Sequence, residues 1–145
     1  MSNRMTIDGR CHCGAVRYDA DIDPANVVIC HCADCQTMSG APYRVNVPVL
    51  SAKLRLEGRL TTYLKRGASG DEVRTTFCPV CGTPIYSCKG ETPTFVWLRL
   101  GSVTQRAELP PVRQGFCHSA MPWAIDIHDL PHVGSTRTGG EPARR

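Results

Sequence analysis

Nine cysteines, seven of them in three tight groups, constrain this chain more than any other feature of its sequence. Cys11 and Cys13 flank a histidine in "CHCG", Cys78 and Cys81 bracket a dipeptide in "CPVCG", and Cys30, Cys32 and Cys35 crowd into "CHCADC". Cys88 and Cys117 stand apart. The odd count argues against a disulfide framework. The opening "MSNRMTIDGR" lacks the apolar stretch of a signal peptide, and the longest apolar runs, "VVIC" (27–30) and "FVWL" (95–98), are far too short to cross a bilayer. A cytoplasmic, reducing setting is the expectation, and there such spacings point to metal.

Side chains two apart on a strand share a face, so Cys11 and Cys13 can grip one ion from one side. "CPVCG" reads as a zinc knuckle, a tight turn converging Cys78 and Cys81, with Gly82 free to adopt the conformation that turns amide N–H groups toward sulfur. Four thiolates at about 2.3 Å fill a zinc tetrahedron and leave no position for chemistry. The expectation is a structural Zn2+ on Cys11, Cys13, Cys78 and Cys81, stabilising the fold by on the order of 10 kcal/mol. The competing readings are a redox dithiol and unrelated buried thiols. Redox dithiols sit where a strand meets a helix in an α/β fold, a pattern missing around Cys78.

"CHCADC" is one ligand short. In this reading Cys30 and Cys32 share a strand face and Cys35 swings back after a turn, so three sulfurs converge with one tetrahedral position left over. Catalytic zinc sites keep three protein ligands and an open fourth position. Three thiolates leave such a site a net negative charge, poor for activating water but suited to an exchangeable thiol, whose unperturbed pKa of about 8.5 falls away on coordination. Cys30, Cys32 and Cys35 are therefore candidate ligands of a second, catalytic zinc that presents a thiol. Three readings compete: Cys88, Cys117, His31 or His118 closes the cluster, the thiols form a redox switch, or some are merely buried. His31 should point to the opposite strand face and serve packing or hydrogen bonding, and Cys88 and Cys117 read as small apolar side chains.

A chain of 145 residues with 41% hydrophobic and 21% charged residues suits one domain with a real core. Its 13 Gly and 11 Pro are spread along the length and punctuate many short strands. Patterning predicts strands over 15–20, 26–30, 42–49, 53–58, 59–66, 72–77, 83–88 and 94–101, a hairpin loop at 66–71 and a tight turn at 57–59. "DCQTMSG" (34–40) has room for one helical turn after the third thiol. The fold is expected to be mainly β with few or no helices, a single domain over 1–145 with its core at about 5–133 and a disordered tail at 134–145. The formal charge is +4, with Lys and Arg dispersed apart from the terminal "GEPARR". That falls short of the clustered stripe of a nucleic-acid binder and suits a small anionic ligand equally well.

These residues also resemble a known family. "GRCHCGAVRY" (9–18), "CHCADCQTMSGAPY" (30–43), the L-x-G-x-L-x-x-Y pattern from Leu56 to Tyr63, "FCPVCGTPIY" (77–86), "LGSV" (100–103) and "MPW" (121–123) are similar to the glutathione-dependent formaldehyde-activating family, which includes centromere protein V. The resemblance implies an Mss4-like fold of small twisted antiparallel sheets. It also implies two Zn2+ per chain, one structural on Cys11, Cys13, Cys78 and Cys81, the other catalytic and labile on Cys30, Cys32 and Cys35. The implied reaction is that of a carbon–sulfur lyase, in which glutathione and formaldehyde combine into S-(hydroxymethyl)glutathione. The glutathione thiol would complete the second zinc's shell and add to the aldehyde. The chain is shorter than the glutathione enzymes of this family, with little sequence between motifs for a dedicated glutathione pocket. Arg17, Arg44 and Arg66 are candidates for a substrate carboxylate, against the commoner role of solvated face residues, and Tyr43 and Trp123 for the pocket or, more commonly, the core.

Two functions from different classes follow. One is a zinc-dependent lyase acting on a thiol–aldehyde adduct, its partners a small-molecule thiol such as glutathione and an aldehyde, with neither nucleic acid nor membrane. The other is a non-catalytic zinc-binding module that contacts nucleic acid or a protein, for which the basic balance and the Arg-Arg terminus speak. A metal- or oxidant-responsive switch is a third.

Overall fold

The computed structural model describes residues 3–67 and 69–131, and the tail expected at 134–145 lies outside them. Strands β1 (Met5–Arg10), β2 (Arg17–Ile22) and β5 (Leu54–Glu57) form an antiparallel sheet in the order β1-β2-β5. A seven-stranded sheet holds β3 (Val28–Cys30), β4 (Arg44–Leu50), β6 (Thr61–Arg66), β7 (Glu72–Phe77), β8 (Pro84–Lys89), β9 (Phe95–Arg99) and β10 (Arg113–Gly115), in the order β10-β3-β4-β9-β8-β7-β6. The mainly β expectation holds. One pairing departs from the antiparallel rule: β10 runs parallel to β3, beginning just after Val112 donates its N–H to the Val27 carbonyl at 2.9 Å.

All eight predicted strands are present, with ends displaced by up to two residues. The 26–30 strand shrinks to β3 because Pro24–Asn26 forms a 3-10 turn, capped by the Asp23 carboxylate accepting from Ala25 N–H at 3.0 Å. Helix α1 (Ala33–Ser39) corrects the expectation of a turn after the third thiol: it starts before Cys35 and carries it. It stops at Gly40, whose φ of 65° is the left-handed conformation that closes helices.

The two faces of β4 divide the labour. Val45, Val47 and Val49 alternate onto one face, where Val47 and Val49 join Ile7, Tyr18, Ala20, Ile22, Ile85, Val96 and Leu98 in one buried cluster spanning both sheets. Each fully buried aliphatic side chain contributes roughly 1.5–3 kcal/mol. Arg44 and Asn46 alternate onto the other face. There the register draws rows across the sheet: Tyr63, Thr75, Ser87, Trp97 and Pro48 are successive partners, and so are Arg99, Asn46, Val28 and Arg113. Lys65 on β6, the last strand of the sheet, ion-pairs with Asp34 on α1, which follows β3 near the opposite edge. The sheet therefore curls round and encloses this polar face. No helix among the described residues is long and apolar enough to cross a membrane.

Candidate active site

The four-cysteine cluster is built from two turns. Cys11 lies just past β1 and not on it, correcting the strand-face expectation, and the chain reverses through Gly14 N–H to the Cys11 carbonyl (3.1 Å) and Cys11 N–H to the Val16 carbonyl (3.0 Å). This reversal, rather than strand alternation, sets Cys11 Sγ and Cys13 Sγ 3.5 Å apart. The knuckle supplies the other half: Gly82 N–H donates to the Cys78 carbonyl at 2.9 Å, with Gly82 at φ 73°, a conformation costly for any residue with a Cβ. Cys13 Sγ is 3.8 Å from Cys78 Sγ, and all four sulfurs lie within 4.8 Å of one another. A tetrahedron with bonds of about 2.3 Å has edges of about 3.8 Å, so the sulfur set fits one metal ion. Polar groups already face the sulfurs. Val16 N–H donates to Cys11 Sγ at 3.2 Å, and the Thr83 hydroxyl lies 3.1 Å from Cys81 Sγ. Burial pushes the Cys81 thiol up, but hydrogen bonds led by those from Thr83 outweigh it and draw the thiol down to about 5.

The three-cysteine cluster sits where β3 passes into α1. Cys30 ends the strand, Cys32 is the helix N-cap, and Cys35 stands in the first helical turn. Cys32 Sγ takes the capping role usually filled by an oxygen, accepting from Cys35 N–H at 3.4 Å. Cys30 and Cys32 thus do not share a strand face as expected; the strand-to-helix turn converges them, with sulfurs 3.3 Å apart and the trio within 4.8 Å. Burial, followed by the neighbouring sulfurs, pushes the Cys35 thiol well above the ordinary range. Cys32 goes the other way: burial pushes it up, and the Cys35 N–H and the flanking thiols more than reverse this. Uneven proton holding of this kind marks sulfurs crowded into one site.

Among the described residues no fourth His, Cys, Asp or Glu joins the trio. His31 is buried, its Nε2 lies 2.7 Å from Gln114 Oε1, and its ring meets the edge of Tyr43 at 5.5 Å, in keeping with the packing and hydrogen-bonding role expected of it. Cys88 is a buried thiol 3.9 Å from the Gly90 carbonyl. Cys117 is exposed, contrary to its reading as a small apolar side chain, and His118 leans on the Phe116 ring.

The trio instead faces a cavity of about 370 Å³, which the little sequence between motifs had not led one to expect. Its polar floor includes Arg44, Asn46 and Arg99, and Trp97 and Lys65 stand further along the wall. Arg44 is 6% and Arg99 8% exposed. Arg99 Nη1 donates to Asn46 Oδ1, while Arg44 Nη2 and Arg99 Nε are buried without a hydrogen-bond partner. Burial, and then Arg44 beside it, pulls Arg99 down to about 10, so it still carries its charge at neutral pH. Of the three arginines proposed from sequence, only Arg44 lies here: Arg17 is on β2 in the other sheet and Arg66 is exposed at the end of β6. Trp123 is also exposed and belongs to neither core nor cavity, because residues 117–129 run as short 3-10 turns over the surface. Arg99 was missed; its sequence signal was a charged residue inside the otherwise apolar "FVWLRLG".

The glutathione-dependent formaldehyde-activating enzyme family model matches residues 6–119, which hold both sulfur clusters and all the residues lining the cavity. The chain belongs to this family. A protein of Schizosaccharomyces pombe named as an uncharacterized lyase is 26% identical over 98 residues, 65% of this chain and 69% of that protein. The fold recurs in a crystal structure of a Rhodobacter sphaeroides protein, with a TM-score of 0.58 and 21% identity, over 74% of this chain and 98% of that one. Family membership thus accords with a lyase whose two cysteine groups could hold metal.

Proposed function

We propose that this chain is a zinc-dependent carbon–sulfur lyase acting on thiol–aldehyde adducts, with glutathione and formaldehyde as the first pair to test. The observation that carries the reading is the sulfur trio of Cys30, Cys32 and Cys35, facing a cavity with no fourth ligand among the described residues. Family membership and the lyase name of the yeast relative support the same class. Cys11, Cys13, Cys78 and Cys81 would hold a structural Zn2+. A second Zn2+ held by Cys30, Cys32 and Cys35 would supply Lewis acidity that lowers the pKa of an arriving thiol.

The chemistry balances without a further reactant. The thiol sulfur bonds to the aldehyde carbon, the carbonyl π pair moves to oxygen, and the proton lost by sulfur ends on that oxygen to give a hydroxyalkyl thioether. In reverse the C–S bond breaks and the same proton returns. The protein's part is to hold and orient. The cavity confines both reactants near the trio, which removes much of the entropic barrier to their meeting. The Gln36 side-chain amide donates at 2.7 Å to the carbonyls of His31 and Ser119, pinning α1, and so Cys35, in place.

The test is turnover of glutathione plus formaldehyde, followed by NMR, for zinc-loaded protein and for Cys32→Ser. The variant should fall to the uncatalysed rate. Equal rates would remove the proposal. A module that only binds nucleic acid or protein has no use for an open sulfur trio at a cavity wall, and the dispersed basic residues do not favour it.

A further inference from the structure

Two cations lie buried in the cavity wall with no carboxylate to match them. Neither Arg44 nor Arg99 makes an ion pair among the described residues, and Asp34, the carboxylate that lines the same cavity, is already taken by Lys65. A buried guanidinium left without a hydrogen-bond partner is costly, and proteins rarely retain one unless something completes it. Here two atoms, Arg44 Nη2 and Arg99 Nε, lack partners.

The register shows what could complete them. Arg99 stands opposite Asn46 on β4, Arg44 is two residues along the same strand, and both therefore rise from one face of the sheet. Arg44 in turn stands opposite Cys30, the first sulfur of the trio. We infer that Arg44 and Arg99 form a clamp for a carboxylate of the substrate, so that the cavity selects thiols carrying a carboxylate over neutral thiols. The planar fork of a guanidinium fits a carboxylate with two parallel N–H···O bonds, which a sulfur cannot reproduce. Asn46 positions the pair by accepting from Arg99 Nη1, leaving Nε free. This deepens the proposed function and rests on it for the identity of the ligand. The competing role, balancing the charge of the sulfur cluster, would favour all thiols alike.

The experiment uses zinc-loaded protein and two probes that lack a free thiol, S-methylglutathione and its diethyl ester, so binding does not depend on reaction. Calorimetry should show S-methylglutathione binding roughly 10- to 100-fold tighter than the ester, the size of hydrogen bonds to a charged group. Arg44→Gln and Arg99→Gln should bring that ratio to about one with zinc content unchanged. Arg44→Lys and Arg99→Lys, which keep the charge and the fold but lose the fork, should retain only part of it. A wild-type ratio near one, no measurable binding of S-methylglutathione, or variants that weaken both probes equally would overturn the clamp. No turnover above the uncatalysed rate by the zinc-loaded wild-type protein, with the ratio intact, would sink the lyase reading and leave the clamp standing.

Discussion

Cys30 and Arg44 stand directly opposite one another on β3 and β4, so the first sulfur of the trio and a buried guanidinium rise together from the enclosed face of the sheet. The four-sulfur cluster instead joins the turn after β1 to the knuckle after β7, with enough sulfurs to fill a tetrahedron. The two clusters should therefore fail differently. Cys32→Ser is expected to lower bound zinc from about two ions per chain to about one, with the far-UV circular dichroism unchanged. Cys78→Ser should lower thermal stability by several kcal/mol, because a metal held by the four sulfurs, as proposed, would contribute folding energy outright. Metal analysis beside thermal melts checks both.

Gln36 sits in α1 with its amide between two carbonyls that otherwise have no common support, His31 O and Ser119 O. Gln36→Leu should cost roughly 1–3 kcal/mol, the penalty of leaving part-buried acceptors unpaired. Urea unfolding measures it, and zinc affinity of the trio should drop in the same variant because Cys35 shares the helix.

Asp8 fastens β1 to the segment beyond β9, accepting from Thr104 Oγ1 at 2.8 Å and Gln105 Nε2 at 2.6 Å. The Gln105 amide, then Thr104, holds its carboxyl below the ordinary 3.8. A lowered folded-state pKa means the folded protein releases this proton more readily than the unfolded chain. The contribution is thus complete above 3.8 and fades as pH falls through the lower folded value. Asp8→Asn should destabilise at pH 7, and the gap in melting temperature to wild type should close below pH 3.8, acid effects common to both proteins cancelling.

Leu98 is fully buried in the cluster shared by the two sheets, on the face of β9 opposite Arg99. Leu98→Ala should cost about 2–5 kcal/mol in urea unfolding, the range for a core cavity that cannot collapse. Trp97→Ala, in the next position but facing the cavity, should cost less stability and change ligand binding more.

Local signals in the sequence were strong where polar and apolar residues alternate, as in β4 and β7, or where an apolar run is continuous, as in "FVWL" of β9. They failed at β1, where "MTIDGR" turns Met5, Ile7 and the small Gly9 inward but only Ile7 is a fully buried aliphatic side chain, and at β10, whose "RQG" has no apolar residue and is held by backbone bonds to β3. Cysteine spacing identified both sulfur groups without the correct backbone, because a turn at 11–14 and a strand-to-helix junction at 30–35 converge sulfurs as well as a strand face does. The cavity could not be read at all. It depends on the curl that carries Lys65 to Asp34 and on the register that sets Arg99 beside Arg44, both of which are long-range pairings.

The most direct measurement is X-ray absorption at the zinc edge on the two-zinc protein, before and after glutathione is added. Four sulfurs at one ion and three at the other give a mean of about 3.5 sulfurs per zinc, and the account predicts a rise to about four when the thiol enters. A mean already at about four without glutathione, or one that does not move when it is added, would contradict it.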